Sequence, residues 1–197
     1  VLLKKHGIDV KETLTYQTKD IDFSAQLTKI KAASPDGIAL GACYQQAANI
    51  VRQARKLGLT QPFLAGACTG SPEFAELVGK DGDGSIIGSA GWPDDPSAKT
   101  AAFMKKFVAR SGGKKSNYGG MRAYDNVYLV KDVIEKSGVT NKPEELEADR
   151  ERIRKSLASL KHFAGIVGPT SFDENRDGSG KATVLTVKDG KFARVDY

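Results

Sequence analysis

Short runs of apolar and β-branched residues alternate with amphipathic stretches through about the first ninety positions, the pattern that builds βαβ units and a mostly parallel sheet. Val10 to Tyr16 alternates apolar and polar positions and predicts a strand. Asp22 offers an N-cap oxygen for a helix to about Ala33, in which Phe23, Leu27 and Ile30 recur at helical spacing and which Ser34-Pro35 ends. Gly37 to Ala42 predicts the next strand. Tyr44 to Leu57 puts Ala47, Ile50, Val51, Ala54 and Leu57 on one helix face, with Gln and Arg over much of the remainder, and Gly58 closes it. A third strand is expected over Pro62 to Ala65. A helix should open at Ser71-Pro72, with Pro at its first position, and a fourth strand should follow over Ser85 to Ser89.

Gly91-Trp92-Pro93-Asp94-Asp95-Pro96 breaks this rhythm and places a lobe boundary near Trp92. Helical periodicity then covers roughly Lys99 to Arg110, Met121 to Lys136 and Pro143 to Leu160. The section from Gly168 to Tyr197 reads as extended segments around two polar turns, Asp173 to Gly180 and Lys188-Asp189-Gly190. There is no internal repeat or low-complexity tract.

With 197 residues, 40% hydrophobic and 27% charged, the chain suffices for one sizeable domain or parts of two, and it is too polar for a membrane protein. No apolar run approaches the ~20 residues that a membrane span needs. The chain begins VLLKKHG, without Met or a basic-then-apolar leader, so either a removed leader or a start within a longer protein is expected. The net charge of +6 is dispersed, with Lys80 beside Asp81 and Arg150 beside Glu151, which describes a solvated surface and no nucleic-acid partner.

Candidate chemistry is sparse. Cys43 and Cys68 are too few for a disulfide framework and lack C-x-x-C spacing, so they name no compartment. His6 and His162 lie far apart, with no local Ser, Cys or carboxylate pattern, and read as surface or packing residues. Asp173 to Gly178 matches the opening of an EF-hand loop, but the twelfth position is Val184 where a bidentate Glu is needed; an Asx-type turn is the expectation. Neither a metal nor a cofactor is expected.

The turn Gly66-Ala67-Cys68-Thr69-Gly70-Ser71 joins a strand to a helix, where N–H groups and the helix dipole suit a carboxylate. It lacks the spacing and lysine of a P-loop and the Gly-x-Gly-x-x-Gly of a dinucleotide fold, and it reads equally as a plain connection or a ligand contact. Tyr44 follows a strand almost directly, and ligands of open parallel sheets bind beyond the strands' carboxyl ends. It either meets a ligand or packs at a helix start. Trp92 and Tyr118 are likewise cleft contacts or packing residues, packing being favoured for Trp92. Cys43 and Cys68 each follow a strand and should be neighbours, with two free thiols favoured over a bridge.

Several segments in order carry a resemblance: Asp22-Phe23-Ser24-Ala25-Gln26-Leu27 on to Pro35-Asp36-Gly37, and Arg52-Gln53-Ala54-Arg55-Lys56-Leu57-Gly58-Leu59. Pro62-Phe63-Leu64-Ala65-Gly66 and Gly168-Pro169-Thr170-Ser171-Phe172-Asp173 continue it. Together they resemble the branched-chain amino-acid type of periplasmic solute-binding protein, the type I proteins that feed ABC importers. The resemblance covers nearly the whole chain. It implies an α/β fold of mostly parallel sheets flanked by helices, in two lobes that close over a small molecule, one lobe here incomplete. Residues 1–92 would form most of the second lobe, 93–182 part of the first, and 183–197 a return to the second.

The resemblance further implies a non-catalytic protein of the periplasm that captures a small carboxylate-bearing ligand and signals to an ABC permease in the inner membrane. Tyr44 matches a ligand-contacting tyrosine of the family, and Tyr118 lies near an aromatic contact of the other lobe. Ala67 stands at the position where amino-acid binders tend to carry an acid for the ligand's ammonium group, and Cys68 beside it is a further candidate ligand contact. The neutral Ala67 weighs toward a carboxylate without an α-amino group, such as an aromatic acid. An enzyme on a similar scaffold, which needs a clustered acid/base or metal set, and a ligand-sensing domain of a transcription regulator, which needs a helix-turn-helix, are the alternatives.

Overall fold

The computed structural model describes residues 2–180 and 182–195. Short helices α1 (Leu2–Lys5) and α2 (Ser24–Ala33) lead into β1 (Ile38–Leu40), α3 (Tyr44–Lys56), β2 (Phe63–Ala65), α4 (Pro72–Val78) and β3 (Ile86–Ser89). The three strands pair in parallel in chain order, with Ile38 opposite Phe63, Leu40 opposite Ala65 and Ala65 opposite Ile87. Such pairing requires crossovers, which α3 and α4 supply. In α3 the residues Ala47, Ala48, Ile50, Val51 and Ala54 are buried, a stripe at helical spacing laid against the sheet.

Next come α5 (Ala98–Arg110), α6 (Tyr118–Lys136), a 3₁₀ turn at Pro143–Glu145, α7 (Leu146–Ala158) and the strands β4 (Phe163–Gly165), β5 (Gly168–Phe172) and β6 (Gly178–Ser179). These strands form an antiparallel sheet in the order β4-β5-β6. Finally β7 (Thr183–Lys188) and β8 (Lys191–Arg194), an antiparallel hairpin, rejoin the first sheet to give the order β1-β2-β3-β7-β8. The chain thus forms two compact units, one reaching to Ser89 and resuming at Val184, the other spanning Ala90–Thr183.

In the first unit Phe23, Leu27, Phe63, Phe74, Ile87 and Leu185 are at most 2% exposed and make the core between sheet and helices. Arg55 lies with its guanidinium 5.0 Å from the Phe63 ring centre and donates to the carbonyls of Leu59, Gln61 and Asp81, which fixes the approach to β2. Burial lowers its pKa. In the second unit Phe103, Met104 and Met121 are buried together with Phe107, Val108, Ile166 and Val167 against them.

Several sequence expectations need correction. Val10 to Tyr16 forms no regular element and among the described residues pairs in no sheet, because alternation becomes a strand only where a neighbouring backbone supplies the ladder. It is held by side chains instead: Tyr16 Oη donates to the Gly41 carbonyl at 3.1 Å and Gln26 Nε2 to that of Thr15 at 3.2 Å. The first residue of α2 is Ser24, although Asp22 still accepts from the Ser24 N–H at 2.9 Å. The helix expected from Met121 starts at Tyr118, capped by Asn117, whose side chain accepts from the Gly120 N–H at 3.0 Å. The helix expected over Pro143 to Leu160 begins as a 3₁₀ turn and ends at Ala158. Strand β4 and helix α1 were not anticipated, and the end of the last extended section, residues 196–197, lies outside the described residues.

Candidate functional site

Two turns leave the carboxyl ends of adjacent parallel strands. Beyond Leu40, Gly41-Ala42-Cys43 leads into α3, whose first residue is Tyr44; beyond Ala65, Gly66 to Ser71 leads into α4. Cys43 and Cys68 join the turns through a disulfide with a Cα–Cα distance of 4.6 Å. The two cysteines are neighbours, as their strands require, but the expected pair of free thiols is corrected to a bridge. Leu40 and Ala65 are paired across the ladder, so the residues a few positions beyond them remain within bridging distance.

A second link lies beneath the disulfide. Thr69 is fully buried and donates its hydroxyl to the Ala42 carbonyl at 2.8 Å. The Gly66–Ser71 turn is closed by its own backbone, with the Thr69 N–H on the Gly66 carbonyl at 3.0 Å and that of Gly70 on Ala67 at 2.9 Å. A Cβ on Gly70 would stand 3.2 Å from the Ala67 carbonyl and 3.3 Å from the Ser89 hydroxyl, which explains a glycine where the turn folds back on the sheet. Tyr44 and Ala67 are half-buried, while Cys43 and Cys68 are exposed. Neither Gly41–Tyr44 nor Gly66–Ser71 contains an acidic residue.

Cys43 is the N-cap before α3, in extended backbone (φ −83°, ψ 167°), and makes no side-chain capping bond. Its sulfur is committed to the disulfide, and the first-turn N–H groups have no cap oxygen from it. Among the sequence-predicted residues the structure therefore brings Tyr44, Ala67 and Cys68 to one sheet edge. Sequence reasoning missed Thr69 and the bridging role of Cys43; the only advance signal was that both turns follow neighbouring strands.

Tyr118 belongs to the second unit, where it opens α6 and is half-buried. A Cβ on Gly91 would come within 2.9 Å of Val167 and 3.7 Å of Tyr118 Cβ, so the glycine lets the chain after β3 pack there. About two helical turns beyond, the buried Asp125 accepts from the N–H groups of Ile166 at 2.8 Å and Val167 at 3.1 Å. Thr100 donates to the Ile166 carbonyl at 3.0 Å. These bonds fix the β4–β5 turn beside Tyr118, and sequence reasoning assigned Asp125 no such part.

Other candidates do not join these residues. His162 lines an open groove of about 530 Å³ with Asp132, Lys136 and Lys161, at the carboxyl-terminal end of α6 and thus a helix length, ~28 Å, from Tyr118. Asp173 accepts from the Asp177 N–H at 2.8 Å, and its carbonyl accepts from the Arg176 N–H at 3.1 Å, so the polar turn is there but is closed over three and four residues rather than as the expected Asx-type turn. Among the described residues no group of three or more His, Cys, Asp or Glu is placed to hold a metal ion, and no helix is long and apolar enough to cross a membrane.

The profile of the family described as periplasmic binding protein matches residues 1–191. The chain belongs to this family. A curated relative of the periplasmic binding protein chain, the leucine-, isoleucine-, valine-, threonine- and alanine-binding protein of Pseudomonas aeruginosa, is 26% identical over 80% of this chain and 39% of its own length. Among solved structures, a leucine binding protein from Thermotoga maritima is 29% identical with a TM-score of 0.79, over 93% of this chain and 50% of that one. A solute binding protein of an ABC transporter from Rhodopseudomonas palustris, in complex with benzoate, has a TM-score of 0.82 over 98% of this chain and 51% of that one. At 19% identity that likeness shows the fold alone. The chain spans about half the length of these relatives or less.

Proposed function

We propose that the chain is part of an extracytoplasmic solute-binding protein that captures a small carboxylate-bearing ligand in the periplasm and delivers it to an ABC permease in the inner membrane. The observation that carries this reading is the disulfide-joined pair of turns at the carboxyl ends of β1 and β2, in a chain of the periplasmic binding protein family. Tyr44 provides a ring and a hydroxyl for the ligand, and Ala67 and Cys68 a small uncharged surface. No group is assigned a catalytic role.

The chemistry of the ligand follows from Ala67. Neither turn contains an acidic residue of its own, the Glu73 carboxylate at the start of α4 being engaged by the Ser71 hydroxyl, and an α-ammonium group left desolvated without a partner is costly. We therefore favour a carboxylate without an α-amino group, such as an aromatic acid. A branched-chain amino acid is the second reading, supported by the names of the relatives from Pseudomonas and Thermotoga.

A thermal-shift screen of the full-length protein tests both. A ligand bound to the folded state alone adds about 2.7 kcal/mol at a hundredfold excess over Kd, enough to raise Tm visibly. Aromatic acids should raise Tm and leucine should not. A rise with leucine, isoleucine or valine alone overturns the ligand class, and no rise with any small acid or amino acid overturns the binding role.

A further inference from the structure

We infer that the Cys43–Cys68 disulfide is the positioning element of the ligand site: it fixes the spacing of Tyr44 and Ala67, and its reduction weakens ligand capture. The inference rests on the binding role proposed above and adds a redox dependence to it. Each cysteine is the chain neighbour of a proposed contact, Cys43 directly before Tyr44 and Cys68 directly after Ala67. The β1–β2 ladder ends at Leu40 and Ala65, so the segments that carry the contacts project past the last backbone pairing. Gly41 and Gly66, the first residues beyond it, have open space where a Cβ would lie, and are held through their carbonyls, by Tyr16 and by the Thr69 N–H, rather than by packing.

What spans the two turns is the disulfide above and the Thr69–Ala42 hydrogen bond below. The bond lies outside the core, since both cysteines are exposed while Ile38, Phe63 and Thr69 are buried beneath. Its position suits holding geometry rather than filling volume. Without it, the Thr69–Ala42 hydrogen bond alone links the turns that carry Tyr44 and Ala67, and part of their ordering falls to the binding step, which lowers affinity through entropy.

Exposure also opens the bond to exchange. A small dithiol attacks one sulfur as thiolate, the Cys43–Cys68 bond breaks to a mixed disulfide, and the second thiol of the reagent displaces the protein sulfur. The reagent leaves as a cyclic disulfide, its two electrons and two protons now on the Cys43 and Cys68 thiols.

The test uses the full-length protein in three forms: oxidised, reduced in place with dithiothreitol, and carrying Cys43→Ala with Cys68→Ala. Amide hydrogen exchange is followed by mass spectrometry, and benzoate and leucine are titrated by calorimetry. Exchange over residues 41–46 and 66–71 should quicken about tenfold or more in both bridge-free forms, with β1, β2 and β3 still protected. The probe that binds the oxidised form should bind about tenfold more weakly, the loss appearing as less favourable entropy, and reoxidation should restore it. Unchanged exchange and affinity overturn the inference, as does a loss of protection across the whole first unit, which would make the bond a general staple. If neither probe binds the oxidised form, the ligand reading fails while the exchange pattern still decides the positioning role.

Discussion

Thr69 gives up its hydroxyl hydrogen to Ala42 from a site without solvent, so Thr69→Val should strand a buried carbonyl at about 1–3 kcal/mol, whereas Thr69→Ser keeps the bond and costs less. Urea unfolding of both variants measures the difference. Asp149 makes a second residue-level prediction. Burial opposes ionisation of its carboxyl, yet hydrogen bonds from the Thr140 N–H and hydroxyl, the Asn141 N–H and Arg152 hold its pKa below the usual carboxylate value. A depressed folded pKa contributes stability that is present above the unfolded value of about 3.9 and is lost as pH falls through the lower folded value. Asp149→Asn should therefore be less stable than the parent at pH 7, with the gap closing below pH ~4. Equal gaps in urea midpoint at pH 7 and pH 3 would sink that assignment. Neither Thr69 nor Asp149 stands out in the sequence, because a hydroxyl or carboxylate shows its worth only through the backbone groups that the fold brings to it.

At the scale of elements, the hairpin of β7 and β8 closes the first unit although it lies nearly a hundred residues from β3. Leu185 of β7 is fully buried, and Phe74 of α4 stacks on Phe192 of β8 with ring centres 6.3 Å apart. Leu185→Ala should cost about 2–5 kcal/mol in chemical denaturation, and Phe192→Ala should loosen α4 as well. Elements with their own periodicity were legible: α3 was read within a residue of its limits from its apolar stripe and the glycine after it. Elements that depend on a partner were not. Val10 to Tyr16 has the alternation of a strand and no ladder, while β4 is three residues long and exists through its pairing with β5, at Phe163 opposite Thr170. The disulfide belongs with these, since a separation of 25 residues says nothing of how two side chains are aimed.

At the scale of the molecule, the family was legible because ordered segments along most of the chain carry it, and the match over residues 1–191 bears this out. The ligand was not, because the segments that carry the family leave it open and only one residue, Ala67, bears on it. That makes the ligand preference the point at which the account is most exposed. Isothermal titration calorimetry of the full-length protein against benzoate and leucine tests it most directly. A missing charge-assisted hydrogen bond of roughly 1.5–3 kcal/mol predicts that benzoate binds at least tenfold more tightly than leucine. Leucine binding more tightly than benzoate would contradict it.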